Sequence, residues 1–230
     1  MVLVSHKYKF IYLKNYKVAG SSVEAFFGQF CIDPSKRSSY SFEDSRDVEI
    51  SEYGILGSRH GIYQQKIPTN QIWNNHKSAF DIKNELGEDI FNKYIKFCVI
   101  RNPYDVMVSS YYWDIYLKRV SYDFKTYCKN YNELLEKNPI IKYNRNHLNK
   151  LFIDNQPVCQ YYIRYENLEN DIIMVLSKLG ITDYNIMDLP KHKSGIRPLY
   201  SPYQSLYDEE SKEIVYQIFK TECDMFHYVF

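Results

Sequence analysis

The sequence has almost no excess of charge of either sign. Its 230 residues include 29 lysines and arginines against 28 aspartates and glutamates, a formal net charge of +1. Proteins that bind nucleic acids or membrane surfaces through their overall electrostatic field carry a larger basic excess, so this composition argues against both classes of partner. Any anion-binding site must therefore be a local concentration of hydrogen-bond donors and positive side chains.

The five cysteines are scattered and odd in number, and their spacing does not suggest a metal site. The cysteines are Cys31, Cys98, Cys128, Cys159 and Cys223. They include no CxxC pair and no cluster with histidine, which a structural zinc site would need. We expect reduced, structural thiols in a cytosolic protein and no metal cofactor.

Long apolar runs are also missing. No window approaches the roughly 20 apolar residues that a membrane-spanning helix needs. The first segment, MVLVSHKYKFIYLKN, is interrupted by His6, Lys7 and Lys9 and has no small-residue cleavage site. The sequence therefore predicts a soluble, cytoplasmic protein.

The sequence does contain several short apolar runs, each of which precedes a helical pattern. Residues 8–13 (YKFIYL) precede a helix from about Ser21, residues 95–100 (IKFCVI) precede a helix from about Pro103, and residues 158–165 (VCQYYIRY) precede ENLENDIIMVLSKLG. This alternation is typical of an α/β fold with a central, mainly parallel sheet flanked by helices.

The chain length suits one domain, which we predict over residues 1–230. Loop or lid insertions are expected near 31–70, which begins with a polar, Ser-rich stretch, and near 119–157, which is rich in Tyr, Asn and Lys. We interpret the second insertion as facing the substrate. The stretch DEESKEIVYQIFKTECDMF predicts a C-terminal helix, because acidic residues favour a helix N-terminus.

A small-residue turn, KVAGSS (residues 17–22), lies between the first strand and its helix. Ligands of α/β proteins bind at the carboxyl ends of strands, and the N–H groups of a helix N-terminus attract anions. Gly20 would permit a close approach of the backbone, and Ser21 and Ser22 would add hydroxyl donors. Lys17 would add a positive charge. A phosphate or sulfate site and a simple capping turn with a surface lysine are equally compatible with this motif.

A second candidate lies in FCVIRNPYDVMVSSYYW, residues 97–113. Arg101 follows an apolar strand directly, and arginine is suited to bidentate phosphate recognition. If this strand neighbours the first one, Arg101 and Lys17 would face one crevice and a ligand with two anionic groups. The alternative is a salt bridge between Arg101 and Asp105 at the helix start.

Together, KxxGSS after the first strand and RNPYDVMVSSYY after a later strand resemble the paired signature of sulfotransferases that use 3′-phosphoadenosine 5′-phosphosulfate (PAPS). The closest resemblance is to the carbohydrate-type group with its shorter soluble relatives. It implies a three-layer, P-loop-like domain. It also implies a 5′-phosphosulfate site and a 3′-phosphate site. The matching residues are Lys17, Ala19, Gly20, Ser21 and Ser22 for the first site, and Arg101 and Ser109 for the second.

Other segments extend the resemblance over most of the chain. NHKSAFDIKNELGEDIFNKYIKFCVIRNP, YIRYENLENDI and DEESKEIVYQIFKTECDMFHYVF follow the order of the family's histidine segment, later strand and C-terminal helix. Residues 31–70 and 119–157 match least. The absence of a membrane anchor distinguishes the chain from Golgi members and indicates a bacterial-like or viral form.

The resemblance also implies catalytic roles. Lys17 would stabilise the charge that develops on the bridging oxygen of the leaving group. A histidine would accept the proton of the acceptor hydroxyl, and His76 in His-Lys-Ser-Ala is our choice, with His60 in GSRHGIY as its competitor. In similar enzymes a late basic loop closes on the nucleotide, so Lys193 and Arg197 are further phosphate contacts, unless KHKSGIRPLYSPY is simply a solvated loop.

Two other classes of function remain compatible with the sequence. A nucleotide kinase would need ATP and magnesium, but the lysine precedes the glycine here, unlike in the Walker A pattern GxxxxGK[ST]. A non-catalytic nucleotide-binding or glycan-binding module could keep the same fold. The expected acceptor is a carbohydrate hydroxyl, and this expectation comes from the resemblance alone.

Overall fold

The computed structural model describes residues 2–42, 47–58, 73, 76–192, 195–198 and 202–230. The chain forms two compact units. Unit 1 consists of Met1–Ile100 with Tyr143–His192, and unit 2 consists of Arg101–Lys142 with Lys193–Phe230. Each unit is described by itself.

A six-stranded sheet forms the centre of unit 1, with the strands in the order β3-β4-β1-β2-β5-β8. The strands are β1 (Leu3–Ser5), β2 (Phe10–Leu13), β3 (Glu49–Ser51), β4 (Gly54–Leu56), β5 (Ile95–Ile100) and β8 (Tyr161–Arg164). Two further strands, β6 (Phe152–Ile153) and β7 (Gln156–Pro157), pair as a separate hairpin. Asp154 and Asn155 turn this hairpin with φ angles of 50° and 59°, as a tight hairpin turn requires.

The three apolar runs of the sequence form the parallel half of this sheet. β2 pairs in parallel with β5, with Leu13 opposite Cys98, and β5 pairs in parallel with β8, with Ile100 opposite Arg164. The carboxyl ends of neighbouring parallel strands lie at the same edge of a sheet. The strand before Lys17 therefore neighbours the strand before Arg101, which was the condition set in the sequence analysis.

The other half of the sheet is antiparallel, which corrects the prediction of a mainly parallel sheet. β1 pairs antiparallel with both β2 and β4, and β3 pairs antiparallel with β4. The short connections between β1 and β2 and between β3 and β4 allow no other pairing, because a parallel crossover needs a dozen or more residues. β3 and β4 also place strands in the stretch that the sequence predicted as loop.

Helices complete unit 1. They are α1 (Gly20–Gly28), α2 (Ala79–Leu86), α3 (Glu88–Lys93), α7 (Leu148–Leu151) and α8 (Leu168–Lys178), with α6 (Pro139–Arg145) running across the boundary between the units. Aromatic packing holds α1 on the sheet: the ring of Phe27 lies 4.8 Å from that of Phe97 on β5 and 5.8 Å from that of Phe10 on β2. All three side chains are fully buried, so the start of α1 is fixed at the carboxyl end of β2.

Unit 2 is helical in its described part. Its helices are α4 (Pro103–Tyr116), α5 (Phe124–Glu136), α9 (Glu209–Ile218) and α10 (Lys220–Phe226). The predicted C-terminal helix is thus two helices, separated at Phe219, whose φ of −114° and ψ of 27° are not helical. Aromatic rings pack between the elements: Tyr207 lies 4.8 Å from Phe124 and 5.7 Å from Tyr104.

Three properties with a bearing on function follow from the described residues. None of their helices combines the length and apolarity needed to cross a membrane. No group of three or more His, Cys, Asp or Glu side chains among them could hold a metal ion. All five cysteines are buried and free.

Candidate active site

The turn between β2 and α1 has an unusual backbone. Lys17 and Ala19 have φ angles of 60° and 62°, in the left-handed region that non-glycine residues rarely adopt. Each such residue costs on the order of 1 kcal/mol, and such residues cluster at sites that bind ligands. The predicted anion site therefore contains two left-handed residues within three positions.

Helix α1 begins after this turn without a side-chain cap. Ala19 occupies the N-cap position and offers no side-chain acceptor. The carbonyl of Ala19 accepts from the N–H groups of Ser22 and Val23, and the preceding N–H groups of Gly20 and Ser21 lie at the positive end of the helix. The serines therefore do not cap α1. Both serines lie inside the first turn of α1.

Gly20 lets α1 approach a buried ion pair that the sequence did not predict. Nζ of Lys14 lies 2.6 Å from Oε2 of Glu24, and the two side chains are only 8% and 1% exposed. A Cβ atom on Gly20 would lie 3.1 and 3.2 Å from the Cε and Cγ atoms of Lys14. The sequence does not distinguish the roles of Lys14 and Lys17, because only the folded chain shows that Lys14 pairs with Glu24.

Ser22 is buried, and its Oγ accepts a hydrogen bond of 3.1 Å from the backbone N–H of His192. This contact ties the end of the described segment 76–192 to the first turn of α1. Ser21, on the adjacent position, is partly exposed. The two predicted serine donors therefore have different surroundings, and Ser21 is the more accessible one.

His76 lies close to the same strand end. Its φ is 58°, so three predicted site residues of unit 1 share the left-handed conformation: Lys17, Ala19 and His76. The ring hydrogen-bonds to the backbone of Lys14, while Nδ1 is closed off from solvent and has no partner among the described residues. Burial, helped by the nearby charges of Lys14 and Lys150, holds the pKa of His76 well below its usual 6.5.

Tyr16 lies between His76 and a buried cation. Its ring lies 5.9 Å from the imidazole ring of His76, and the guanidinium of Arg145 lies 5.1 Å from its centroid. Arg145 is buried. The segment next to Lys17 therefore carries an aromatic side chain between a neutral histidine and a buried arginine.

Lys150 is a further buried cation of unit 1. Its Nζ donates to the carbonyl of Tyr143 at 3.1 Å and to Oδ1 of Asn149 at 2.7 Å, and it lies 4.3 Å from the centroid of the Tyr143 ring. Burial lowers its pKa to about 7, although the negative charge of Asp81 opposes the shift. Nothing in the surrounding sequence, NRNHLNKL, marked this lysine, because its burial arises only from the packing of distant segments.

In unit 2, Arg101 forms the ion pair that the sequence left open as an alternative. Oδ2 of Asp105 accepts from Nε and from a terminal nitrogen of Arg101, at 2.9 and 2.7 Å. The other oxygen, Oδ1, accepts from Arg197. Two predicted phosphate contacts, 96 positions apart in the sequence, therefore meet on one carboxylate.

Ser109 lies on the same helix as Asp105, four residues further along α4. Residues four apart lie on one face of a helix, with Cβ atoms roughly 5–6 Å apart. Ser109 is partly exposed, and its hydroxyl has no hydrogen-bond partner among the described residues. One face of α4 thus presents Ser109 next to the carboxylate that holds both arginines.

Two predicted site residues cannot be placed. His60 and Lys193 lie outside the described residues.

Comparisons with known proteins show the family of this chain. The model of a family described as "Sulfotransferase family" matches residues 1–229. The chain belongs to the sulfotransferase family. An uncharacterized protein of Archaeoglobus fulgidus is 31% identical over 109 residues, which cover 46% of this chain and 83% of that protein. No solved structure matches the chain.

Membership in the sulfotransferase family makes transfer of a sulfuryl group the expected class of reaction. A family of this kind uses a small-molecule donor and an acceptor. The match covers both segments from which the site was predicted, the turn before α1 and the start of α4.

Proposed function

We propose that this sulfotransferase moves a sulfuryl group from PAPS to an acceptor hydroxyl, by in-line transfer and without a metal. The observation that carries the proposal is the left-handed backbone at Lys17 and Ala19, which leads into the uncapped N-terminus of α1 at the end of a parallel strand. Strand, anion-binding turn and helix in this order make a P-loop-like arrangement, in which a lysine precedes the glycine. A bound phosphosulfate accepts hydrogen bonds from the backbone N–H groups at the N-terminus of α1, which no side chain caps.

The turn is suited to the chemistry of the leaving group. As the sulfur–oxygen bond breaks, negative charge builds on the bridging oxygen, which stays with the phosphate. The ammonium of Lys17 stabilises that charge, and the N–H groups of Gly20 and Ser21 together with the serine hydroxyls orient the donor. Stabilisation that grows with the developing charge lowers the barrier more than it tightens ground-state binding.

The 3′-phosphate of PAPS is assigned to unit 2. Arg101 and Arg197 provide guanidinium donors, Ser109 provides a hydroxyl, and Lys193 is a further contact proposed from the sequence. The arginines are 10% and 26% exposed, so a phosphate that reaches them meets charges that water screens only partly.

We assign the general base to His76, with His60 as the alternative. A base must be unprotonated before it accepts the hydroxyl proton, and the lowered pKa of His76 leaves its imidazole neutral at neutral pH. Its Nδ1 lone pair has no donor within the described residues.

The proposed acceptor is a carbohydrate hydroxyl, and the proposed location is the cytoplasm. The test is transfer of labelled sulfate from PAPS to a panel of neutral sugars, carboxylated sugars, phenols and peptide tyrosines. If only the sugars give labelled product, the proposed acceptor is supported. If only phenols or peptides give labelled product, the acceptor is a phenol or a peptide tyrosine and not a carbohydrate. The panel is run with Lys17→Ala in parallel.

Two other outcomes would overturn the assignment. Phosphate transfer from ATP with magnesium, without any sulfate transfer, would make the protein a nucleotide kinase. Binding of adenosine 3′,5′-bisphosphate without transfer to any acceptor would make it a binding module. Unchanged sulfate transfer by Lys17→Ala would remove the turn from the mechanism.

A further inference from the structure

The carboxylate of Asp105 is the meeting point of two arginines in unit 2. Oδ2 accepts two hydrogen bonds from Arg101, and Oδ1 accepts one from Arg197. The Asp105 side chain is 13% exposed, so these contacts are largely shielded from water. Asp105 belongs to the first turn of α4, which Asn102 caps by accepting from the N–H of Tyr104 at 3.1 Å.

This arrangement fixes the orientation of both guanidinium groups before a ligand arrives. A free arginine side chain loses rotamer entropy when it binds an anion, and a guanidinium that is already held in place loses less. The two-bond contact with Arg101 fixes its guanidinium plane, because fork-like pairs are geometrically specific. The same carboxylate brings Arg197, which is on a separate segment, to the same face of α4 as Ser109.

We infer that Asp105 is a positioning residue that holds Arg101 and Arg197 as one receptor for the 3′-phosphate and so makes the protein selective for 3′-phosphorylated nucleotides. This inference rests on the proposed function, because it deepens the assignment of the phosphate site. Asp105 itself does not contact the nucleotide. It acts through the two arginines.

An opposing effect has to be separated from positioning. The carboxylate also repels a phosphate, so removing its charge could tighten binding. The two effects have opposite signs: the loss of repulsion would tighten binding of the 3′-phosphate, whereas the loss of a fixed arginine orientation would weaken it. A lower preference for the bisphosphate in Asp105→Asn therefore reports the positioning effect.

The experiment measures the affinities for adenosine 3′,5′-bisphosphate and adenosine 5′-phosphate by calorimetry. The parent protein should prefer the bisphosphate. Asp105→Asn should lower this preference about tenfold, as the loss of charge-assisted hydrogen bonds that orient a phosphate contact implies, while affinity for the 5′-phosphate is unchanged. A change confined to the 3′-phosphate is not what a general loss of stability would produce.

A matched control is Asp208→Asn. Asp208 also pairs with a cation, Lys125 at 2.6 Å, and it accepts from the N–H of Ser211 as the cap of α9, a role that asparagine can keep. This variant should keep the parent's preference. Equal losses in both variants would show that Asp105 has no specific role.

A second variant guards against misfolding of Asp105→Asn. Arg197→Lys keeps the charge on a segment outside the helices but cannot reproduce the planar fork, so it should also lose preference for the bisphosphate. If the parent prefers the bisphosphate and Asp105→Asn or Arg197→Lys retains that preference, the inference is wrong and the proposed function stands. If the parent shows no preference for the bisphosphate, the phosphate site and the proposed function are wrong together.

Discussion

Lys14 and Glu24 form a buried ion pair, 2.6 Å between Nζ and Oε2, that joins the end of β2 to α1. Gly20, the first residue of α1, lies close to the Lys14 side chain, since a Cβ atom on it would be 3.1 Å from Cε of Lys14. The ion pair therefore supports the position of the helix N-terminus to which we assign the phosphosulfate.

Glu24→Gln should destabilise the protein by about 3 kcal/mol, because it leaves the charge of Lys14 buried without its carboxylate. Denaturant unfolding measures the loss. The matched control is Glu85→Gln, whose partner Lys77 lies 3.4 Å away and whose side chain is 32% exposed, so the change should cost less than about 1 kcal/mol. Similar losses for the two variants would contradict a special role for the buried pair.

Lys17→Ala should lower kcat for sulfate transfer at least about 100-fold and leave folding intact, because the developing charge on the leaving group loses its ammonium. Transfer of labelled sulfate and a thermal melt measure the two effects. Lys9→Ala is a close control: Lys9 is also a lysine with a left-handed backbone, φ 53°, but it is exposed and precedes β2. Loss of activity in both variants would point to backbone strain rather than to the Lys17 charge.

Arg101→Ala should weaken binding of adenosine 3′,5′-bisphosphate about tenfold or more, because the phosphate loses a charged fork of donors. Calorimetry gives the affinity. Arg119→Ala removes another arginine of unit 2 that pairs with a carboxylate, Asp114 at 3.0 Å, and should lower stability without changing nucleotide affinity. An unchanged affinity in Arg101→Ala would assign Arg101 to the salt bridge with Asp105 alone.

His76→Asn should lower the rate of sulfate transfer by about 100-fold or more. Donor binding should be kept, because only the acceptor needs a base. Asparagine is chosen because it tolerates the left-handed backbone of this position. The same measurements on His60→Asn identify the base. An active His76→Asn enzyme together with an inactive His60→Asn enzyme would transfer the role to His60.

Lys150→Met should raise the free energy of unfolding at neutral pH, by on the order of 1–4 kcal/mol, because a buried cation is replaced by an apolar side chain of similar length. Burial lowers the pKa of Lys150 from 10.5 to about 7, so the unfolded chain binds a proton more readily than the folded protein between these values. The cost of burying Lys150 is therefore complete below about pH 7 and is relieved as the pH rises towards 10.5. Unfolding measured across this range should show the gain from methionine shrinking with pH, and a pH-independent gain would contradict the lowered pKa.

Local patterns in the chain were enough to predict several elements. The apolar run 95–100 coincides with β5, and α4 begins at Pro103, because proline suits a first helical turn and Asn102 caps it. The KVAGSS turn was recognisable from its small residues and lysine. These features depend on residues close in sequence, so their physical causes are visible there.

Tertiary structure alone decided the rest of the candidate site. β3 and β4 are three-residue strands whose pattern is too short to predict, and they exist because each has a partner strand. The left-handed backbone of Lys17 and His76 is not marked by glycine, so nothing in those residue types indicated it.

The sequence by itself determined the family, the order of the main strands and helices, and which lysine and arginine to consider. The folded chain decided which charges are committed to one another: Lys14 to Glu24, and Asp105 to both Arg101 and Arg197. The physical reason is that the free energy of a charge depends on its burial and on partners that can be 92 positions away in the chain, as for Arg197 and Asp105.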